Sequence, residues 1–250
     1  MSVKNFIELI NKSGGLSYSN TYDIEWVFPT VSNKTSLLSQ NLSKVGIDVN
    51  LGRFAGGGDA GIGGAGDVIK LFCDEAQLPN ISSATGQLTG RLLGEGQVNY
   101  AHTRVFTDFQ LGWICDANLT PLKFLTAWYD TIFQQYNNDG TELSPFTRTS
   151  DNLTKLKEEA SGGNAIQSDR TVRLNYPDEY LATCLITKAE KGINASNSRA
   201  AATYTMLECF PYSIDAVPLS AGASTATKVS ANFYYSKHTV TFNDITSYRG

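Results

Sequence analysis

Residues 107–116 read TDFQLGWICD and carry the clearest strand pattern in the chain. Phe109, Leu111, Trp113 and Cys115 fall on one face, while the positions between them are mostly polar or small. This alternation is typical of a β-strand that has one face against a core and the other toward solvent. The stretch therefore favours a sheet-based fold over an all-helical one.

A helix pattern follows directly after this strand. Thr120 fits an N-cap, and Pro121 fits the first helical position, where its missing N–H costs nothing. Helical spacing then continues for about 14 residues along one apolar stripe. The stripe consists of Leu122, Leu125, Tyr129, Ile132 and Phe133, with Trp128 beside it. One such helix in a strand-rich chain is expected to lie across a sheet or a barrel end.

Further strand-like runs lie on both sides of this strand and helix. They cover residues 22–28, 47–51, 68–73, 180–188, 204–210, 228–235 and 239–242. Residues 81–102 contain four glycines and scattered leucines, which indicates an extended hairpin or arm. Residues 3–12 have helical apolar spacing and precede Gly14 and Gly15, so a short N-terminal helix is expected there.

The chain is predicted to form one domain over residues 1–250. A length of 250 residues suits either one large β domain or two small ones. Two segments depart from the strand pattern: a glycine-rich loop at 52–67 and a polar, turn-rich insertion at 137–173. Many consecutive glycines lose much backbone entropy on ordering, so we expect the first segment to be a mobile loop.

Composition restricts the kinds of partner. Charged residues make up 18% of the chain, against roughly 25% in a usual soluble domain. This low charge suits surfaces that meet other proteins, and it equally suits an ordinary β protein rich in Thr and Asn. The net charge of −4 argues against a protein that binds nucleic acid tightly. No segment has the roughly 20 apolar residues needed to cross a bilayer, so no membrane partner is expected.

The residues that carry chemistry are sparse and scattered. The two histidines, His102 and His238, lie beside no cysteine, and the four cysteines are far apart and predicted to be reduced. Residues 61–66, GIGGAG, match a dinucleotide-binding string, but a strand is expected to follow at 68–73 where that motif needs a helix. The sequence thus predicts no catalytic residue, no cofactor and no metal.

Two segments together resemble the tail-tube proteins of contractile-tailed bacteriophages. The first, residues 68–133, contains FCDEAQLP at 72–79, FTDFQL at 106–111 and FLTAWY at 124–129. The second, residues 204–242, is centred on the twelve residues CFPYSIDAVPLS that precede a strand pattern at 228–235. Each piece alone is weakly specific, and their common order and spacing carry the resemblance. The glycine-rich loop and the polar insertion depart from the simplest members.

The resemblance implies a mainly β fold, a β-barrel or sandwich with one flanking α-helix and inserted loops. It also implies that six copies form rings that join their sheets around a channel and stack inside a contractile sheath. The expected partners are further copies, the sheath protein, baseplate and tail-terminator proteins, and genomic DNA passing without sequence-specific binding. Such a subunit would be made in the host bacterial cytoplasm and become part of the virion tail tube.

The arm at 81–102 is the candidate contact between rings. Leu88, Leu92, Leu93 and Tyr100 are its expected apolar anchors, and an ordinary core hairpin is the competing interpretation. Within the same fold, a baseplate tube-initiator is the alternative function. From another class, the Thr, Asn and Tyr content suits a glycan-binding β-sandwich or adhesin. An enzyme is third, because no convergent site is visible.

Overall fold

The computed structural model describes residues 3–12, 16–31, 34–50, 53–54, 65–89, 96–136, 171–191, 198–219, 222 and 226–242. Four α-helices occur in this part of the chain: α1 (Val3–Lys12), α2 (Leu37–Lys44), α3 (Ala65–Leu71) and α4 (Thr120–Ile132). The first eight strands are β1 (Tyr22–Val27), β2 (Thr30–Val31), β3 (Lys34–Thr35), β4 (Val49–Asn50), β5 (Arg53–Phe54), β6 (Cys73–Ala76), β7 (Ser82–Thr89) and β8 (Gln97–Val105). The others are β9 (Phe109–Ile114), β10 (Phe133–Tyr136), β11 (Thr171–Leu174), β12 (Ala182–Lys191), β13 (Ser198–Ile214), β14 (Lys228–Tyr234) and β15 (Lys237–Phe242).

Nine of these strands form one hydrogen-bonded set. Their order is β4-β5-β1-β12-β13-β14-β9-β6, with β15 also on β13. The fold is therefore mainly β, as predicted. A closed barrel, the other form predicted, is not formed in the described part of the chain, because β4 and β6, the two ends of the set, are not paired with each other. The set is instead two antiparallel sheets that share β13.

The long strand β13 bends where it leaves one sheet for the other. Its first part pairs with β12 and β15, and its last residues pair with β14. The register to β12 shifts between Ala182↔Cys209 and Cys184↔Met206, so an extra residue of β13 lies there. Glu208, in this interval, has a φ of 58°, which is uncommon for a residue with a side chain. A bulge of this kind bends and twists a strand, and here it lets one strand serve two sheets.

The core lies between these sheets and helix α4, and aromatic rings fill its centre. Trp26 of β1 meets Trp128 of α4 edge-on at a centroid distance of 5.0 Å and Phe233 of β14 at 5.2 Å. The Trp128 indole N–H donates a 2.8 Å hydrogen bond to the carbonyl oxygen of Tyr180. Phe109, the first residue of β9, stacks on Phe233 at a ring-centroid distance of 5.3 Å. Strand β9 thus faces the core as predicted.

Helix α4 occurs where predicted but is rotated from the expected stripe. Its buried side chains are Thr120, Pro121, Phe124, Leu125, Ala127, Trp128, Thr131 and Ile132. Tyr129, expected in the stripe, is exposed, and so is Phe133, which follows the helix as the first residue of β10. Trp128 is central because it contacts rings of both β1 and β14. Packing of the largest side chain therefore decided which face is buried.

Asp116 caps the first turn of α4, a role that the sequence analysis gave to Thr120. Its carboxylate accepts 2.6 Å and 2.8 Å hydrogen bonds from the Thr120 amide and hydroxyl. Thr120 is the first helical residue, and Leu119 before it has a φ of 55°. Desolvation raises the pKa of Asp116, but the bonds from Thr120 outweigh it, so the pKa is lowered overall.

The strand predicted at 68–73 is wrong in most of its length. Residues 65–71 form helix α3, and the strand β6 begins only at Cys73. The Ile69 carbonyl oxygen accepts a 2.8 Å hydrogen bond from the Trp113 indole, which holds the helix end against the core. The expected strand after the GIGGAG string is therefore absent, and a helix follows the string instead. Since α2 and α3 were not expected, one flanking helix was also too few.

The two predicted loop segments are only partly within the described residues. Residues 52 and 55–64 of the glycine-rich loop and 137–170 of the polar insertion lie outside them. The insertion starts and ends on a two-stranded ribbon, because β10 pairs with β11 from Phe133↔Leu174 to Tyr136↔Thr171. The division into one domain with these two segments stays a prediction.

Candidate assembly surfaces

Strands β7 and β8 form a two-stranded arm of their own. They pair with each other from Ser82↔Val105 to Thr89↔Gln97 and with no other strand of the described chain. Every residue of β8 is exposed. Eight residues of strand extend about 27 Å, so the arm is as long as a small domain is wide. The predicted extended hairpin is present, and it lies outside the core.

The arm has one apolar face. Leu88 lies opposite Val98, and two residues along, Gly86 lies opposite Tyr100. Directly opposite residues and residues two apart share a face of a ribbon, so these four lie together. Leu88, Val98 and Tyr100 are 54%, 50% and 46% exposed. The neighbouring pair Gln87↔Asn99 belongs to the other, polar face. A single chain therefore leaves the apolar face of the arm in water.

Gly86 permits a close contact across this face. A Cβ atom at this position would lie 2.8 Å from the Tyr100 ring carbon Cζ. The tyrosine ring consequently lies across the glycine and covers a gap in the ribbon. The contact gives the apolar face a flat aromatic surface beside Leu88 and Val98.

The arm brings together part of the predicted interface. Leu88 and Tyr100 share its apolar face, whereas Leu92 and Leu93 lie outside the described residues. Val98 belongs to the same face and was missed, although its two-residue spacing from Tyr100 was a readable signal. The role of these residues between rings stays a prediction.

A polar and aromatic cluster holds the root of the arm to the main sheet. Arg104 of β8 donates a 3.0 Å hydrogen bond to Nε2 of the buried His238 in β15. Arginine can only donate, so the His238 proton is on Nδ1, which donates to the Tyr235 hydroxyl at 3.2 Å. Phe106 lies under the Arg104 guanidinium at 4.9 Å and edge-on to His238 at 5.3 Å. Burial, and then the Arg104 charge, lower the pKa of His238.

Apart from the two-residue end strand β4, two strands of the nine-stranded set, β15 and β6, present a free edge in the described chain. β15 pairs with β13 along one side only, and β6 pairs only with β9. An unpaired edge carries a row of free N–H and C=O groups, which proteins cover, shorten or pair with another chain. Both edges belong to the two large sheets, so pairing there would continue a sheet from one copy into another.

A second group of exposed apolar side chains lies at the base of the β10–β11 ribbon. We call Tyr129, Phe133, Leu174 and Tyr176 the ribbon-base patch, and all four are exposed. The Tyr129 and Phe133 rings are 5.1 Å apart, and Phe133 is register partner to Leu174. Tyr129 and Phe133 were predicted to lie in the apolar stripe of α4, so this patch was missed.

The described residues offer little chemistry. Among them, no group of three or more His, Cys, Asp or Glu is placed to hold a metal ion. All four cysteines are free thiols. Burial raises the pKa of Cys73 and of Cys209 to about 12, so neither is a thiolate near neutral pH. His102 bonds to its neighbour Thr103 on the exposed arm.

Membrane insertion by a helix has no support in the described part of the chain. None of its helices combines the length and the apolar character that a membrane span requires.

Comparison with protein families gives one match that covers most of the chain. The model of the family described as phage tail tube protein matches residues 17–241. No curated protein sequence matches. Helix α1 lies before the first matched residue.

Comparison with solved structures gives distant likenesses. The chain is 8% identical to a chain of the extended sheath–tube complex of an extracellular contractile injection system, PVC, covering 97% of this chain and 99% of that one, with a TM-score of 0.44. A chain of the anti-feeding prophage baseplate is also 8% identical, with 91% and 96% covered and a TM-score of 0.44. A chain from the crystal structure of an Hcp protein is 10% identical, with 89% and 99% covered and a TM-score of 0.36.

Proposed function

We propose that six copies of this chain join into a ring and that rings stack into a hollow conduit. The chain belongs to the phage tail tube protein family and is a structural subunit of a tail tube. The single observation that carries this proposal is the β7–β8 arm, whose apolar face is exposed in one copy. An exposed apolar ribbon of this length is a liability unless another surface covers it.

The free sheet edges support closure of a ring. β15 and β6 belong to the two sheets that share β13, so a neighbour's strand at either edge would extend the hydrogen-bonded set. Contact between unlike surfaces of identical copies is head-to-tail, and it closes when the rotation divides a full turn. Ring formation would thereby pair the backbone groups that a single copy leaves free.

The arm supports stacking of rings. Leu88, Val98 and Tyr100 would be covered by the next ring, and Leu92 and Leu93 are proposed as further anchors of the same contact. A neutral apolar contact of this kind needs no charge to be desolvated. The polar face beside it, with Gln87 and Asn99, would stay in water.

The function of the assembled tube would be passive. Genomic DNA would pass through it without sequence-specific binding, in keeping with a net charge of −4. A contractile sheath, a baseplate and a terminator are the proposed partners around and at the ends of the tube. The tube would be assembled in the host bacterial cytoplasm and carried in the virion. A baseplate initiator of the same fold stays the alternative within this class.

The proposal is tested by negative-stain electron microscopy of the purified protein over a concentration series. Long hollow tubes are expected, and isolated rings would favour the baseplate initiator. A monomer at every concentration would contradict self-assembly. A monomer that binds a glycan array would support the adhesin alternative.

The role of the arm is tested by adding one charge to either of its faces. Leu88→Asp is expected to leave a folded, soluble protein that forms no long tubes, because a carboxylate would be buried in the ring contact. Gln87→Asp adds the same charge one residue away on the polar face and should leave tube length unchanged. Tubes of full length from Leu88→Asp would refute the assignment of the arm.

A further inference from the structure

A connection of three residues joins the arm to the core strand β9. Val105 ends β8 and pairs with Ser82 in the arm, whereas Phe109 begins β9 and pairs with Phe233 in the main sheet. We call residues 106–108, which lie between them, the hinge segment. The contacts of this segment with the main sheet therefore affect the direction in which the arm leaves it.

Side chains of β13–β15 contact the hinge segment at both of its ends. The Phe106 ring lies edge-on to Tyr235 and to His238, at ring-centroid distances of 5.9 Å and 5.3 Å. The Asp108 carboxylate accepts a hydrogen bond from the Tyr212 hydroxyl. The main sheet thus holds the chain on the way into the arm through packing and through polar contacts.

The hydrogen bond from Arg104 to His238 is the contact of this cluster that depends on protonation. Arg104 belongs to the arm, and His238 is 2% exposed in β15. A neutral histidine ring accepts at one nitrogen, and arginine keeps its charge at every ordinary pH. A protonated His238 would present an N–H to the guanidinium in place of an acceptor. The bond would then be replaced by repulsion between two cations.

The groups that face His238 leave it as the titrating member of the cluster. The Arg104 guanidinium faces it from β8, the Tyr235 hydroxyl from the turn before β15, and the Phe106 ring from the hinge segment. Its register partner on β13, Met206, has no titratable group. Burial, and then the Arg104 charge, lower the pKa of His238, so its ring is neutral at pH 7.5.

Tyr235 keeps its proton over the same range of pH. Burial, then the neighbouring Cys209 thiol and the Asp108 carboxylate, raise the pKa of Tyr235 above its ordinary value of about 10. Among Arg104, Tyr235 and His238, only His238 can therefore change its charge between pH 7.5 and pH 5.

The length of the arm enlarges a small change at its root. Arg104 pairs with Ser83 near the root, whereas Leu88 and Val98 are paired near the far end of the described arm. Along an arm of about 27 Å, a rotation of about 10° at the root moves the far end by about 5 Å, the spacing between two strands. The position of the apolar face therefore depends on how the root is held.

We propose that Arg104 and His238 are positioning residues for ring stacking, because their hydrogen bond holds the arm in the direction that the next ring requires and protonation of His238 releases it. The inference rests on the proposed stacking of rings and makes that stacking dependent on pH. At pH 7.5 the bond is made and rings stack. At pH 5 the bond is lost, the arm turns about the hinge segment, and stacking weakens.

The direction of the arm is measured on the dilute protein by electron paramagnetic resonance. Nitroxide labels are attached at Asn99→Cys on the arm and at Thr241→Cys on β15, both exposed positions. Cys115→Ser removes the native thiol that is not buried. The distance between the labels should be narrowly distributed at pH 7.5 and should broaden or shift by about 5 Å at pH 5. A distribution that is the same at both pH values would overturn the inference.

A conservative variant separates positioning from a general effect of acid. The side-chain oxygen of His238→Gln can accept from Arg104 and does not titrate, so its label distances should be the same at pH 7.5 and pH 5. His238→Phe keeps a buried ring without an acceptor, and its distances should be broad at both pH values. A change with pH that persists in His238→Gln would overturn the inference.

Ring stacking is measured as the protein concentration at which tubes appear in electron micrographs. For the wild type, this concentration should be at least about tenfold higher at pH 5 than at pH 7.5, the factor expected from one lost hydrogen bond with a charged partner. His238→Gln should show no such change. The chain has one other histidine, and His102→Gln should keep the tenfold change.

The outcomes separate this inference from the proposed function. Wild-type tubes that appear at the same concentration at both pH values would overturn the inference alone. A wild-type chain that forms no tubes at either pH would contradict the proposed function, and this inference with it. A tenfold change that is lost in His102→Gln and kept in His238→Gln would assign the pH dependence to the wrong histidine for this inference and overturn it.

Discussion

Strands β8 and β9 are neighbours in sequence and opposites in burial. β8 carries Val98 and Tyr100 in the alternating pattern of a strand, and all of its residues are exposed. β9 carries Phe109 and Trp113 in the same pattern, and both are fully buried. Only residues 106–108 separate the two strands.

The difference between the strands shows where each apolar face finds its partner. The β9 face is covered by rings of the same chain, so it contributes to the stability of the subunit. The β8 face has no cover from the described chain, so we expect it to contribute to assembly. Equivalent substitutions in the two strands should therefore change different measurements.

The largest expected effect is in β9. Trp113→Ala should lower the free energy of unfolding by about 3–5 kcal/mol, because it leaves a cavity and removes the hydrogen bond to Ile69. Val98→Ala in β8 should change it by less than about 0.5 kcal/mol. Urea unfolding followed by tryptophan fluorescence of the dilute protein measures both. Similar losses in the two variants would mean that the arm is part of the folded core.

An intermediate effect is expected at the cluster that joins β8 to the sheet. Because the pKa of His238 is lowered in the fold, its contribution is present above the unfolded value of about 6.5 and is lost as the pH falls through the folded pKa. A protonated His238 cannot accept from Arg104 and places two positive charges together. The charged groups and hydroxyl that face it are Arg104 from β8 and Tyr235 from the β14–β15 turn.

The measurement compares the free energy of unfolding at pH 7.5 and pH 5. The free energy of unfolding should be lower at pH 5, and about 1.5 kcal/mol of that decrease should come from the lost Arg104–His238 hydrogen bond, the usual size for a bond with a charged partner. His238→Phe should lack that part. An unchanged pH dependence in His238→Phe would show that the arm root does not depend on this bond.

The smallest expected effect is at Asp116, which lies between the end of β9 and the start of α4. Asp116→Ala should lower the free energy of unfolding by about 1 kcal/mol, the usual value of a helix cap. Since the pKa of Asp116 is lowered, its contribution is present above the usual aspartate pKa and is lost as the pH falls through the folded value. Asp116→Asn keeps an acceptor for the Thr120 amide and should lose less. Equal losses would show that the charge and not the hydrogen bond stabilises the helix.

Local patterns predicted a helix or strand well where one of its faces is apolar and the other is polar. Strands β1, β9, β12, β14 and β15 and helices α1 and α4 occur close to the predicted ranges, whereas β13 (Ser198–Ile214) extends well beyond the run predicted at 204–210. The arm was also predicted, as an extended hairpin. The family resemblance came from the ordered short motifs in two segments, and the family match over residues 17–241 agrees with it.

The predictions failed where long-range contacts decide between local alternatives. The apolar run at 68–73 suits a strand, but residues 65–71 form α3, and its Ile69 carbonyl oxygen accepts a hydrogen bond from the Trp113 indole, which is far away in sequence. The α4 stripe was placed on Tyr129 and Phe133, but Trp128 fits between the rings of β1 and β14 and rotates the helix. Phe124, Leu125, Trp128 and Ile132 also have helical spacing, so the long-range ring contacts decided between two faces that the local pattern allows.

By itself, the sequence determined a mainly β protein with a helix after its clearest strand, little reactive chemistry and a tail-tube resemblance. Alternation and helix signals depend on neighbours a few residues apart, which the sequence shows directly. Only the tertiary structure decided that β13 is shared by two sheets, that Arg104 meets His238, and that the arm and the ribbon-base patch are exposed. Such contacts join residues far apart in the chain, and burial depends on all the elements packed around a side chain.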